Sequence, residues 1–236
     1  MDRDPSWTAR LPWMLAFAVS MAWLESAVVA YLRALYYPGG FGFPLAPIDP
    51  GLALIEVGRE AATLVMLMAP GALLTRRRLA RFAWFAILFG VWDVFYYVWL
   101  KVFLGWPASL LEPDILFLIP APWVGPVLAP CIVSAGLVAL GLLLLHRLGR
   151  HPLFRVGAKA WAWMATGAAV ILASFLLDPL RYIARSGAAP WSVDAADGSG
   201  LGQLTGYVPG PFAWGVFLAG CALAVAGMVM ALRRAR

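Results

Sequence analysis

Six apolar stretches, each long enough to cross a lipid bilayer, set the main constraint on how this sequence can fold. They cover about residues 11–36, 51–74, 79–104, 125–147, 158–183 and 212–232. A helix needs about 20 apolar residues to cross roughly 30 Å of hydrocarbon. The sequence therefore predicts an all-α, polytopic integral membrane protein. We expect one domain over residues 1–236, a bundle of six transmembrane helices.

The composition supports this prediction. Hydrophobic residues make up 63% of the chain and charged residues 13%, with a mean hydropathy of +0.82. Soluble domains average about 45–50% apolar and about 25% charged residues. Two cysteines, Cys131 and Cys221, are too few for a disulfide framework. A soluble enzyme, a disordered chain and a secreted disulfide scaffold are therefore excluded.

The charges between the apolar stretches alternate in sign along the chain. The charged residues of the second and fourth connections and their borders are all basic: Arg76, Arg77, Arg78, Arg81, Arg147, Arg150, Arg155 and Lys159. The other connections carry the acidic residues Asp49, Glu112, Asp114, Asp194 and Asp197, with Arg185 beside the last pair. We expect the protein in the cell (inner or plasma) membrane. Because cytoplasmic loops accumulate basic residues, we expect both termini on the cytoplasmic side. We expect these arginines to meet anionic lipid, with no nucleic-acid partner.

Two outer connections differ from ordinary short loops. The proline-rich outer segment 106–130 contains six prolines, and its apolar part is too short to cross a bilayer. Proline removes helical hydrogen-bond donors, so we expect this segment at the interface or dipping in where protein covers it. The segment 186–211 is rich in Gly, Ser and Asp, which predicts a flexible outer loop.

Ionisable residues inside the predicted spans are the most informative feature for function. They are Glu25, Arg33, Glu56, Arg59, Glu60, Asp93, Lys101, Asp178 and Arg181. A charge at the centre of a bilayer costs about 2.5–3.5 kcal/mol even on insertion scales, so such residues are usually paired or functional. With the predicted orientation, most of these groups lie in the centre and outer half of the bilayer.

Helical spacing predicts that these residues share an interior site. Glu56, Arg59 and Glu60 lie on one face of the second span, and Asp93, Tyr96 and Tyr97 lie on one face of the third. Polar faces at similar depth have to point inward, because lipid does not solvate them. The predicted ligand-binding or proton-relay residues are Glu25, Glu56, Arg59, Glu60, Asp93, Tyr96 and Tyr97. The predicted counter-ions are Arg33, Lys101, Asp178 and Arg181.

An alternative role for the same charges is structural. Five carboxylates face four cations, which is close to neutral, and such pairs can hold helices together.

The residue inventory restricts the chemistry. The two histidines, His146 and His151, lie at the cytoplasmic end of the fourth span, so no haem ligands are expected within the spans. We predict no metal site and no cofactor, although bound lipid fits the composition. A Walker-type phosphate loop is absent from the sequence, which argues against direct nucleotide hydrolysis.

Three functional hypotheses remain, and the sequence identifies no catalytic residue. The first is binding or transport of a small polar or amphipathic ligand, or of protons. The second is an accessory, non-redox subunit of a larger membrane complex. The third is a membrane enzyme that acts on a lipid or isoprenoid through carboxylate acid–base chemistry. The expected partners are membrane lipids, and partner subunits or a homo-oligomer are compatible with the sequence.

Cysteine labelling tests the predicted topology. In a background in which Cys131 and Cys221 are replaced by alanine, Arg77→Cys and Ser199→Cys should react with a membrane-impermeant maleimide from opposite faces. Labelling of both positions from one side would overturn the topology.

Overall fold

Helices form most of the molecule. The computed structural model describes residues 6–119, 121–185 and 206–233, and 74% of the structure is helical. The predicted all-α class is therefore confirmed.

All six predicted apolar segments form helices. They are α1 (Trp7–Tyr36), α2 (Pro50–Leu74), α3 (Arg78–Leu104), α4 (Leu128–Arg150), α5 (Ala158–Arg185) and α6 (Trp214–Arg233). The helix ends differ from the hydropathy boundaries by at most four residues. Local chemistry explains two of these ends. Pro50 begins α2 while the Asp49 carboxylate accepts the Leu52 amide at 3.1 Å, and Gly105 ends α3 in a left-handed conformation with φ of 68°.

Five of these helices are long and apolar enough to cross a membrane, namely α1, α3, α4, α5 and α6. Five such helices are typical of a multi-pass membrane protein. The helix α2 is not in this set, and it carries Glu56, Arg59 and Glu60 in its first half.

The proline-rich segment forms a β-hairpin, which the sequence analysis did not predict. Strands β1 (Pro113–Phe117) and β2 (Trp123–Pro126) pair antiparallel, with Pro113 opposite Pro126 and a bulge between Ile115 and Phe117. Backbone bonds extend the pairing towards α4, from the Val127 amide to the Glu112 carbonyl at 3.0 Å. Apolar β-branched and aromatic residues between prolines favour strands over a helix.

The predicted flexible outer loop 186–211 falls mostly outside the described residues, since 186–205 are not among them. Residues 206–213, here called the lead-in segment, connect to the start of α6.

The chain divides into two compact units. The first comprises Met1–Ala30, Leu64–Ala108 and Pro130–Arg155, and the second comprises Tyr31–Thr63, Ser109–Ala129 and Val156–Arg236.

Within the first unit, α3 and α4 pack at glycine contacts. A Cβ atom added at Gly90 would lie 2.5 Å from the Ser134 carbonyl oxygen, and one at Gly141 would lie 2.5 Å from that of Ala83. Only glycine allows so close an approach of two helix backbones.

Within the second unit, α5 and α6 also pack at glycine, with Gly167 against Gly220 and Ala224. A core of buried Leu45, Val124, Ile183 and Tyr207 joins the α1–α2 connection, β2, α5 and the lead-in segment. The hairpin is therefore packed into the second unit.

Candidate functional site

A buried ion pair fixes β1 in the second unit. Nη2 of Arg33, in the last turn of α1, lies 3.0 Å from Oδ1 of Asp114 on β1. Arg33 is 7% exposed and Asp114 is 2% exposed. The Arg33 guanidinium also lies 4.0 Å from the centre of the Phe41 ring, a cation–π contact. Arg33, a predicted counter-ion, thus pairs with an acid that the sequence analysis assigned to a loop.

The carboxylate of Glu60 binds the other end of the same strand. Its Oε2 accepts a hydrogen bond from the Leu118 amide at 2.9 Å, and the side chain is buried. Thr63, one turn further along α2, is also buried. A buried backbone amide next to a strand end needs an acceptor, and Glu60 supplies it.

Glu56 and Arg59, which precede Glu60 on α2, form a half-buried pair with each other. Arg59 Nε donates to Glu56 Oε2 at 2.9 Å, and Nη2 donates to Oε1. This two-point contact satisfies both carboxylate oxygens.

In the first unit, Asp93 and Tyr96 contact neighbouring helices. Asp93 Oδ2 accepts a hydrogen bond from Ser134 Oγ on α4 at 2.7 Å, and the Tyr96 carbonyl accepts one from Ser26 Oγ on α1 at 2.9 Å. The Tyr96 and Tyr97 rings lie 5.0 Å apart, edge to face.

Two further residues of the predicted site lie in the first unit. Glu25 is buried on α1. The Lys101 ammonium donates to the carbonyl oxygens of Gly105 and Pro107, both at 2.8 Å, beyond the end of α3. The predicted common interior site combines residues of both units and stays a prediction.

A cavity of about 500 Å³ lies in the second unit. We call it the α5 cavity. Three elements line it on its closed sides: the hairpin region (Leu111, Pro113 and residues 124–126), α5 (Ser174, Leu177, Asp178 and Arg181) and the lead-in segment with the first residue of α6 (Tyr207 and residues 209–214).

Asp178 fastens the lead-in segment to α5 at the edge of this cavity. Its Oδ2 accepts hydrogen bonds from the Tyr207 hydroxyl at 2.5 Å and from the Gly210 amide at 2.9 Å. Burial raises the pKa of Tyr207 far above its ordinary value, and the bond to Asp178 raises it further. Tyr207 therefore remains a protonated donor at neutral pH.

Arg181 lies one helical turn beyond Asp178 and is exposed. Within the part of the chain that the structure describes, its guanidinium has no hydrogen bond and no ion pair. The charged lining thus comprises one carboxylate that bonds to the lead-in segment and one cation that has no partner among the described residues.

Aromatic packing supports the apolar wall of the cavity. Phe175 stacks on Trp123 of β2, with ring centres 6.2 Å apart and planes inclined by 9°. Phe212 packs against Phe175 at 5.6 Å and against Trp214 at 5.0 Å. A Cβ atom at Gly125 would lie 2.8 Å from Phe175, so close contact of hairpin and helix requires glycine there.

Among the described residues, no cluster of three or more His, Cys, Asp or Glu side chains has an arrangement that could hold a metal ion. No protein-family model, curated protein or solved structure matches this chain.

Sequence reasoning missed Asp114, Ser134 and Tyr207 as partners of the predicted residues. The sequence pattern predicts Asp114 as an outer-loop charge and places Tyr207 in the predicted flexible loop 186–211. The sequence does contain one signal: Asp114 directly precedes the short apolar run Ile115–Ile119, and burial of that run would bury Asp114 with it.

A double-mutant cycle tests the buried pair. Arg33→Met and Asp114→Leu should each lower the free energy of unfolding by about 3 kcal/mol, because each removes one side of a buried ion pair. The double variant should lie within about 1 kcal/mol of the unmodified protein. Denaturation in detergent, followed by tryptophan fluorescence, gives the free energy of unfolding of the unmodified protein, the two single variants and the double variant. Losses that simply add in the double variant would contradict a direct interaction.

Proposed function

We propose that this chain is an integral membrane protein with six spans and cytoplasmic termini that binds a small amphipathic ligand in the α5 cavity. Five apolar helices support the membrane location. Large apolar side chains exposed on the helices, such as Trp13 and Leu73, also favour a lipid environment. The alternating loop charges support the six-span count, with α2 as the remaining span, and the orientation.

The observation that carries the binding proposal is the composition of the cavity. Its volume of about 500 Å³ lies within the range of about 300–1,000 Å³ found for small-ligand sites. Aromatic and aliphatic side chains form most of its walls, and its charged residues Asp178 and Arg181 both lie on α5. A ligand with an apolar part and a polar end suits such a site.

The proposed topology gives this cavity an outward position. The end of α5 and the beginning of α6 both lie on the outer side when the basic connections are cytoplasmic. A ligand would then enter from the outer leaflet or the external solution.

The alternatives differ in what they require of the carboxylates. The enzyme hypothesis uses Glu56, Glu60 or Asp93 as acid or base, yet each of these accepts a hydrogen bond from another group of the protein. Ligand binding in the α5 cavity involves none of these three carboxylates, so the two hypotheses assign function to different residues. The accessory-subunit hypothesis stays an alternative, which co-purification of fixed partners in mild detergent would favour.

Narrowing the cavity tests the binding proposal. Native mass spectrometry of the detergent-purified protein, mixed with dodecyl amphipaths carrying neutral, cationic or anionic head groups, should show a one-to-one adduct with at least one of them. Leu177→Trp should reduce that adduct by about tenfold or more, because indole fills space next to α5. Leu176→Trp, on the neighbouring position that does not line the cavity, is the matched control.

Two results would contradict the proposal. One is the absence of a one-to-one adduct with any of the amphipaths. The other is an equal loss of adduct in Leu177→Trp and Leu176→Trp.

A further inference from the structure

The two charged residues that line the α5 cavity, Asp178 and Arg181, differ in whether they bond to other described residues. Among the described residues, Asp178 accepts two hydrogen bonds, both at Oδ2, one from the Tyr207 hydroxyl and one from the Gly210 amide. These bonds join the lead-in segment to α5. A cationic ligand head that took Asp178 as its partner would compete with them and loosen a wall of the cavity.

Arg181, in contrast, does not hold any described wall of the cavity in place. Its side chain lines the same cavity, one turn along α5, and has neither hydrogen bond nor ion pair to the described residues. The ion pairs among the described residues do not include one between Arg181 and Asp178. A guanidinium group presents a planar fork of donors that matches the oxygens of a carboxylate or phosphate.

The apolar surroundings of Arg181 specify the rest of the ligand. Leu111, Leu177 and Trp214 line the same cavity, and Leu111 is 64% exposed. An inorganic anion would leave these apolar side chains without a partner, whereas an alkyl or isoprenoid chain would cover them.

We propose that the α5 cavity takes an amphipath whose head group is an anionic carboxylate or phosphate, bound by Arg181, with its apolar chain against Leu177 and Trp214. This inference rests on the proposed ligand-binding function and names the class of ligand. Arg181, assigned from the sequence as a counter-ion within the bundle, thereby becomes the residue that selects the head group.

A comparison of head groups tests the inference. The purified full chain is mixed with dodecanoate, dodecyl phosphate, dodecanol and dodecyltrimethylammonium, and the one-to-one adducts are measured by native mass spectrometry. Dodecanoate and dodecyl phosphate should bind about tenfold more tightly than dodecanol, the effect of a charge-assisted contact. Dodecyltrimethylammonium should bind no better than dodecanol.

Variants of α5 assign this preference to one side chain. Arg181→Gln should reduce binding of both anionic amphipaths to the level of dodecanol, and Arg181→Lys should retain part of the preference. Arg185→Gln removes an exposed arginine of the same helix that does not line the cavity, so it should leave binding unchanged. Because Arg181 has no partner among the described residues, its replacement should leave the unfolding midpoint unchanged.

The outcomes separate this inference from the proposed function. Equal binding of all four amphipaths that is lost in Leu177→Trp would overturn the anionic head group and keep the cavity. Preferred binding of the cationic amphipath would assign the selection to Asp178 and overturn the inference. Displacement of dodecyl phosphate by millimolar inorganic phosphate would indicate a site for a free anion and would also overturn it. No adduct at all would instead defeat the proposed function.

Discussion

The buried ion pair between Arg33 and Asp114 is the contact that holds β1 in the second unit. A buried strand has to find partners for its backbone and charges inside the protein, because unpaired polar groups are costly once they are buried. Arg33 holds the strand at Asp114, and Glu60 holds the backbone at Leu118. The cost of burying these charges is offset by pairing each with a group that also needs a partner.

Carboxylate side chains take part in the contacts that hold two walls of the cavity, the hairpin and the lead-in segment. The hairpin is held by Arg33 and Glu60, and its Gly125 allows close contact with Phe175 of α5. The lead-in segment is held by Asp178 through Tyr207 and Gly210. Most of the acidic residues that we describe in this unit therefore act on structure, and Arg181 is the charged lining residue that we propose binds the head group of a ligand.

The helices could be predicted from the sequence, because hydropathy and local caps depend on nearby residues. The hairpin could not, since the groups that stabilise it are distant along the chain. Arg33 lies 81 residues from Asp114, and Glu60 lies 58 residues from Leu118. The sequence identifies Arg33, Glu60, Asp178 and Arg181 as unusual, because each charged side chain in a predicted span carries a free-energy cost that can be assessed residue by residue. Their partners and the cavity depend on tertiary packing, which no spacing rule specifies.

Amide hydrogen exchange across the hairpin tests most directly whether these side chains hold it in place. In the unmodified protein, the amides of Leu118 and Val127, which donate to Glu60 and to the Glu112 carbonyl, should be protected, and Glu60→Leu should speed exchange at Leu118 and along β1 by roughly tenfold or more. Exchange in α4 should not change. Fast exchange of the hairpin in the unmodified protein, or no effect of Glu60→Leu, would contradict the account.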